Sequence, residues 1–391
     1  MAILAIAAIS GCGGGGGGSS NGMLGVSLTD APACGFDAVN VTVSKFRVHM
    51  NAAAPDSAGG WSEITLNPPR KINLLDLTNG LLEDLGETPL PAGHYTQMRL
   101  VLEANTGSNP LANSVIPTGS AETALKTPSA TQSGIKLVNP FTVASGQRAD
   151  FVLDFDACKS VVKNGNGNYL LKPVIKIVPN TANGIDGFVQ PALISGNNVV
   201  VSAQVNGEVV ASTVPASTGK FFLARLAPGT YDVVVSAKGH ATAVIATVPV
   251  ADATSVVTLS TSTAPIVLPT SAVSHSISGT VLLNPVNADQ VIFVSAKQDV
   301  LPATILVPAT TVTVRAQSAD LTTGAYSLLL PAGAPLLGQF GALPITLDAQ
   351  TNPAGKYVIE ASATGYATQT SFEENVSTSD QPNVNLTLLV P

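Results

Sequence analysis

Along most of this chain apolar and polar residues alternate with a period of two, the spacing of a half-buried β-strand. Met98, Leu100 and Leu102 share one parity, with Gln97, Arg99 and Glu103 on the other. Phe151, Leu153 and Phe155 do the same against Asp150, Asp154 and Asp156. Between Ala38 and Met50 the apolar parity switches, from Val39, Val41 and Val43 to Phe46, Val48 and Met50. A one-residue slip would turn the wrong face to the core, so the switch predicts a bulge near Ser44-Lys45. Helical turns are expected only around Asn79 to Leu85 and Asp156 to Val161.

The second half repeats itself. Gly219-Lys220-Phe221 leads to Leu226-Ala227-Pro228-Gly229-Thr230-Tyr231 and then to Ala237-Lys238-Gly239-His240-Ala241. Later, Gly355-Lys356-Tyr357 leads to Ala363-Thr364-Gly365-Tyr366-Ala367, with the same spacing from tyrosine to glycine. Two copies of one module follow. Pro228-Gly229 predicts a type II turn, Pro fixing φ and Gly accepting φ > 0. Tyr231, Val233 and Val235 then alternate into a core. In the second copy Pro331 to Ala354 interrupts, and a loop that long has a role or is disordered. Thr261 to Val273, rich in Ser, Thr and Pro, reads as the linker between copies.

Composition agrees and narrows the class. A chain of 391 residues exceeds one core and suggests two to four domains. Charged residues are 11 %, against about 25 % in a typical domain. Val, Thr, Gly, Asn and Pro fill the deficit, the vocabulary of short strands and tight turns. A net charge of −7, with no basic stripe, makes nucleic acid a poor partner. Beyond the first dozen residues no stretch reaches the roughly 20 apolar residues of a spanning helix.

The N-terminus carries its own signal. Met1 to Ile9 are apolar, and Ile9-Ser10-Gly11-Cys12 precedes the run Gly13 to Gly18. This resembles the lipobox of bacterial lipoproteins, which implies acylation of Cys12 and a flexible tether reaching Asn21. Gly13 after the cysteine, rather than Asp, implies by that resemblance sorting to the outer membrane. No Lys or Arg precedes Cys12, although signal peptides open with one: either the true start lies upstream or the segment is not exported. With Cys12 acylated, Cys34 and Cys158 remain, and in an exported protein they are expected to pair. Two buried free thiols are the alternative.

Residues 23–179 resemble a bacterial and archaeal lipoprotein family, the domain of unknown function numbered four-three-eight-two. The likeness rests on Gly25-Val26-Ser27-Leu28-Thr29-Asp30-Ala31-Pro32, Leu74-Leu75-Asp76-Leu77, Gly93-His94-Tyr95-Thr96-Gln97-Met98-Arg99-Leu100 and Leu171-Lys172-Pro173-Val174. It implies no activity. The repeats, 183–260 and 274–391, resemble the carboxypeptidase-regulatory-like domain, a transthyretin-like sandwich. Gly187-Phe188-Val189 and Gly279-Thr280-Val281 stand where its opening strands would. The expected fold is all-β: three tandem β-sandwich domains (Ig-like or transthyretin-like) after a lipidated segment, 1–22.

Candidate chemistry is sparse. His49, His94, His240 and His275 are scattered, and no zinc-protease, nucleophile-elbow or phosphate-loop motif occurs, so no catalytic residue is assigned. Asp150, Asp154 and Asp156 share a strand face and could hold Ca²⁺, with Asp30 or Asp37 joining. The competing reading sets Lys172 and Lys176 opposite them as cross-strand ion pairs. Trp61, the sole Trp, could be a sugar platform or a packed ring. These readings predict a non-catalytic, lipid-anchored envelope protein serving as a structural or adhesion-like module for a protein or glycan partner. The second reading is a carbohydrate- or Ca²⁺-binding surface lipoprotein.

Overall fold

The structure is a computed structural model and describes residues 21–30, 35–128, 130–165, 167–196, 198–300 and 310–391. It is nearly all β, with three hydrophobic cores in sequence order.

In the first sandwich one sheet runs Ile175–Pro179, Arg148–Phe155, Gly22–Asp30, Glu83–Leu90, its two central strands parallel. The facing sheet is built on the long strand Phe36–His49, which pairs with Ser62–Asn73, Gln97–Leu102 and Ser114–Pro117. Its register shifts between Val43 and Lys45 against both Ser62–Asn73 and Gln97–Leu102, so Ser44 is the bulged residue that the parity switch requires. Val39, Val41, Val43, Phe46 and Val48 therefore all reach one core. The helical turn expected at Asn79 to Leu85 lies earlier, as a 3₁₀ turn at Leu74–Asp76 closed by the Asn73 side chain on Leu75 N–H. The second is the short helix Ala157–Ser160, capped by Asp156.

The middle and third sandwiches share one topology. In the middle one, Lys220–Ala224, Gly184–Phe188 and Val256–Thr258 face Glu208–Thr213, Val200–Val205, Gly229–Ser236 and Ala243–Val250. In the third, Ala325–Pro331, Ser274–Asn284 and Leu386–Leu389 face Thr310–Ser318, Phe293–Val300, Lys356–Ser362 and Gln369–Asn375, in the same order along the chain. Gly219 and Gly324 are matched devices: each takes φ near the left-handed region, and a Cβ would strike the carbonyl of Val189 or Val281 at 2.1 Å.

The expected type II turn at Pro228-Gly229 does not form. Gly229 opens a strand without left-handed φ, and the left-handed residue before it is Arg225 (φ 59°), whose N–H donates to Asn183 O (2.8 Å). The corner is held by Tyr231, whose hydroxyl donates to Ala227 O (2.6 Å). Tyr95 donates likewise to Pro91 O (2.8 Å), and Tyr357 to Pro331 O (2.7 Å). The third corner is thus the same corner, spread apart by the interruption. The strand Leu336–Gln339 in that interruption adds in parallel to Ala243–Val250 of the middle sandwich. The linker is also packed, Ile266 and Leu268 entering the middle core.

Each sandwich touches the other two. Val234, Val244 and Ala246 of the middle sandwich lie in the third core. Gln204 is fully buried there and pairs as a strand residue would: its Nε2 donates to Thr313 O and its Oε1 accepts from Thr313 N–H, both at 2.8 Å. Lys297 Nζ reaches Glu208 across the same seam (2.6 Å) and Glu360 within its own sheet (2.7 Å). The third sandwich returns to the first through Thr322 Oγ1 on Asn164 Oδ1 (2.7 Å) and Lys172 Nζ on Asp289 O (3.2 Å).

Candidate functional site

The seam between the first and middle sandwiches is built on the turn Asn79-Gly80. Asn79 sits at φ 57°, a conformation that Asn tolerates. Its N–H donates to Thr213 Oγ1 (2.8 Å) and its Nδ2 to Val214 O (2.6 Å). Its Oδ1 accepts from Phe222 N–H (3.1 Å) and Thr213 Oγ1 (3.3 Å). Gly80 follows at φ 75°, where a Cβ would meet Phe222 at 3.0 Å and Ala224 at 3.1 Å. Arg225 Nη2 donates to Gly80 O (3.1 Å), and Lys176 Nζ to Val210 O (2.8 Å).

These ties enclose a cavity of about 350 Å³ between the two sandwiches. Val178, Val210, Phe222, Leu226 and Pro228 supply apolar wall, and Asp30, Asp154, Lys176 and Arg225 supply charge. Burial pushes the Asp154 carboxyl above the usual range, the Asp156 charge adding to it and Lys176 and Arg225 offsetting part. Burial likewise lowers the Arg225 guanidinium, against the opposing pull of Asp154. Among the described residues none donates a hydrogen bond to the Asp154 carboxylate.

The three aspartates share a strand face but are not gathered into a ligand set. Asp150 accepts from Arg148 Nε (2.8 Å), which also reaches Glu87 (2.7 Å) through Nη1. Asp154 faces the cavity, and Asp156 caps Lys159 N–H (3.0 Å). No group of three or more His, Cys, Asp or Glu able to hold a metal ion occurs among the described residues. Asp150 and Asp156 accept from separate donors while Asp154 faces the cavity, so the three carboxylates expected to hold Ca²⁺, which takes six or more oxygens, do not converge on one point. Asp30, a proposed fourth ligand, accepts from Ala157 N–H (3.0 Å), and Asp37 from Thr118 Oγ1 (2.9 Å). Of the two lysines expected opposite the aspartates, Lys172 lies outside the paired strand and donates to Asp289 O, and Lys176 stands opposite Asp154. Its ammonium passes that partner and reaches the middle sandwich instead.

Trp61 lies away from the cavity, half-buried. The Arg47 and Arg99 guanidinium carbons stand 4.1 and 4.9 Å from its ring centre, and the His49 ring 5.0 Å away. Its Nε1 donates to Pro55 O (3.2 Å). Arg99, paired with Asp56, is itself buried under this loop. Cys158 is on the helix Ala157–Ser160, whereas Cys12 and Cys34 lie outside the described residues. Asn79 and Arg225 were not singled out in the sequence; Asn79-Gly80 is a turn dipeptide, the one signal that pointed there.

Residues 21–173 match the family model of the domain of unknown function DUF4382, and residues 185–262 match that of the carboxypeptidase regulatory-like domain. The chain carries these two domains in that order. No curated protein matches it. Among solved structures, a C-terminal interface mutant of a type II cohesin–X-dockerin complex from Acetivibrio cellulolyticus is 29 % identical over 23 % of this chain and 58 % of its own, at TM-score 0.20. An N-terminal interface mutant of that complex is 24 % identical over 22 % and 56 %, at TM-score 0.19. The chain therefore spans little more than half the length of these two. The major pilin SpaA of Corynebacterium diphtheriae is 12 % identical over 94 % of this chain and 100 % of its own, at TM-score 0.20.

Proposed function

We propose that this chain is a lipid-anchored protein of the bacterial cell envelope that serves as a non-catalytic structural or interaction module. The observation that carries this reading is the fastening of each sandwich to the other two by side-chain hydrogen bonds, above all the buried pair of Gln204 on Thr313 and the part-buried set of Asn79 on the middle sandwich. Such joints hold a surface in fixed relation to its anchor. The histidines support it as well. His49 takes Asn51 N–H (2.8 Å), while His94, His240 and His275 meet Thr142, Lys238 O and Asp380 separately. Acylation of Cys12 places the protein at the outer membrane, tethered by the run Gly13 to Gly18, with a protein or glycan as its partner. The anchor is tested by expressing the gene in a Gram-negative host fed labelled palmitate. Label should enter the wild type and not Cys12→Ala, which should leave the detergent phase; a Cys12→Ala protein that still partitions there defeats the reading.

The same exported location supports pairing of Cys34 with Cys158. Asp30, four residues before Cys34, accepts from the N–H of Ala157, the neighbour of Cys158. The chain-entropy contribution of so long a loop is about 4–5 kcal/mol. Mass spectrometry of the unreduced digest should find the linked peptides; alkylation of both thiols without reductant would refute it.

A further inference from the structure

We propose that the cavity between the first and middle sandwiches is a binding site for a small neutral polyhydroxyl ligand, a single sugar ring, held through two hydroxyls by the Asp154 carboxylate. The inference stands whether or not Cys12 is acylated.

The cavity's volume of about 350 Å³ falls at the low end of small-ligand pockets, which run about 300–1,000 Å³, and suits one ring rather than a chain. Its polar groups are unequally committed. Lys176 Nζ is spent on Val210 O and Arg225 Nη2 on Gly80 O, both bonds that tie the two sandwiches together. Asp154 is a carboxylate facing the cavity that no described residue hydrogen-bonds, and the Arg225 Nε is also buried without a hydrogen-bond partner. An ionised carboxylate only accepts, and its two oxygens match a pair of neighbouring O–H donors. The two flanking cations balance the two carboxylates of the lining, Asp30 and Asp154, so the cavity offers no net charge to a ligand of either sign and favours a neutral one. They also offset part of the rise that burial imposes on the Asp154 carboxyl. A hydroxyl pair supplies donors without adding charge. Opposite the carboxylate, Val210, Phe222, Leu226 and Pro228 form an apolar wall on which the C–H face of a sugar ring would pack. A lone donor on an apolar body would use half of the carboxylate, and a charged donor would meet Lys176 and Arg225.

The test uses the full purified chain at pH 7. D-glucose, D-galactose and D-mannose are titrated separately by isothermal calorimetry, with benzyl alcohol (one hydroxyl) and benzylamine (an ammonium) as comparison probes. At least one hexose should bind saturably and more tightly than either comparison probe. Asp154→Leu should weaken it by at least about tenfold, a change of about 1.4 kcal/mol. Asp154→Asn, which keeps one acceptor oxygen and the side chain's shape, should weaken it less. Melting temperatures of both variants verify that they fold, and Asp154→Asn alone serves if Asp154→Leu does not. Three results would overturn the proposal: no hexose binding, tighter binding of benzylamine than of any hexose, or sugar binding lost in Trp61→Phe yet intact in the Asp154 variants.

Discussion

Asn79 occupies a left-handed backbone position and commits both ends of its amide to the middle sandwich, so its replacement leaves Val214 O, Phe222 N–H and Thr213 Oγ1 short of a partner together. At about 1 kcal/mol net per hydrogen bond, Asn79→Ala should cost about 2–3 kcal/mol, measured by urea unfolding. Asn79→Gly restores the backbone preference but not the amide, and should recover only a part. The charged residues divide by sign. A carboxyl whose folded pKa is raised binds more protons folded than unfolded, so its ionisation works against folding as pH rises from about 3.9 through the folded value. Asp154 is of this kind, through burial. Asp154→Asn should therefore raise the melting temperature at pH 7, and the gain should shrink near pH 3. Asp252 has the opposite sign: the Thr254 N–H, with further bonds from Thr254 and Ser255, lowers it to about 2. Its stabilisation is present above about pH 3.9 and is lost as pH falls towards 2. Asp252→Ala should thus lower the melting temperature at pH 7 and converge with the wild type on acidification. A pH series of melting curves on the two variants distinguishes the signs directly.

At the scale of elements, Tyr95, Tyr231 and Tyr357 close equivalent corners, each ring buried and each hydroxyl on a carbonyl. Burial raises all three phenols above their usual range, so they stay donors at neutral pH. The insertion lies inside the third corner and sends Leu336–Gln339 to the middle sandwich, with Leu336 N–H on Thr242 O (2.8 Å) and Phe340 N–H on Ala246 O (3.1 Å). Gly338 lies on that strand, and a Cβ there would stand 2.6 Å from Thr346 O. Gly338→Val should dislodge the inserted strand, seen as faster amide exchange at Ala243 to Ala246, while the exchange of Tyr357 stays unchanged. Much of this was legible. Alternation located the strands, the parity switch marked Ser44, and the tyrosine-to-glycine spacing revealed the repeat. What escaped was tertiary. Gln97 and Arg99 read as an outer face from their parity, yet both are buried because the loop after His49 folds over them, Ala54 O taking Arg99 Nη2 at 3.0 Å. Pro228-Gly229 carries strong turn residues, but the corner's hydroxyl bond and the strand beginning at Gly229 override local preference. The cavity was illegible for the same reason: Asp154 and Arg225 are 71 positions apart by their numbering, and only the docking of two domains joins them.

For the whole molecule, the three seams differ in kind, and the difference orders their strength. Between the middle and third sandwiches apolar residues cross the boundary, Val234, Val244 and Ala246 entering the third core, with Gln204 sealed among them. The first sandwich meets the other two mainly through hydrogen bonds at Asn79, Arg225, Lys176, Asn164 and Lys172, around a cavity. Apolar burial contributes about 25 cal/mol per Å², whereas a part-exposed hydrogen bond nets about 1 kcal/mol, so the second pair of seams should part first. Calorimetry of the full chain should then resolve two transitions, one for the first sandwich and one shared by the other two, rather than three. A fragment spanning 183–391 should reproduce the shared transition with little change in midpoint. Gln204→Leu would leave Thr313 N–H and O buried without partners, and should split that transition. Ca²⁺ or chelator should move neither midpoint, because Asp150 and Asp156 are held by different partners and Asp154 faces the cavity apart from both. A single transition for the full chain would mean that the hydrogen-bonded seams couple as strongly as the shared core, and would make Asn79 a determinant of global rather than interface stability.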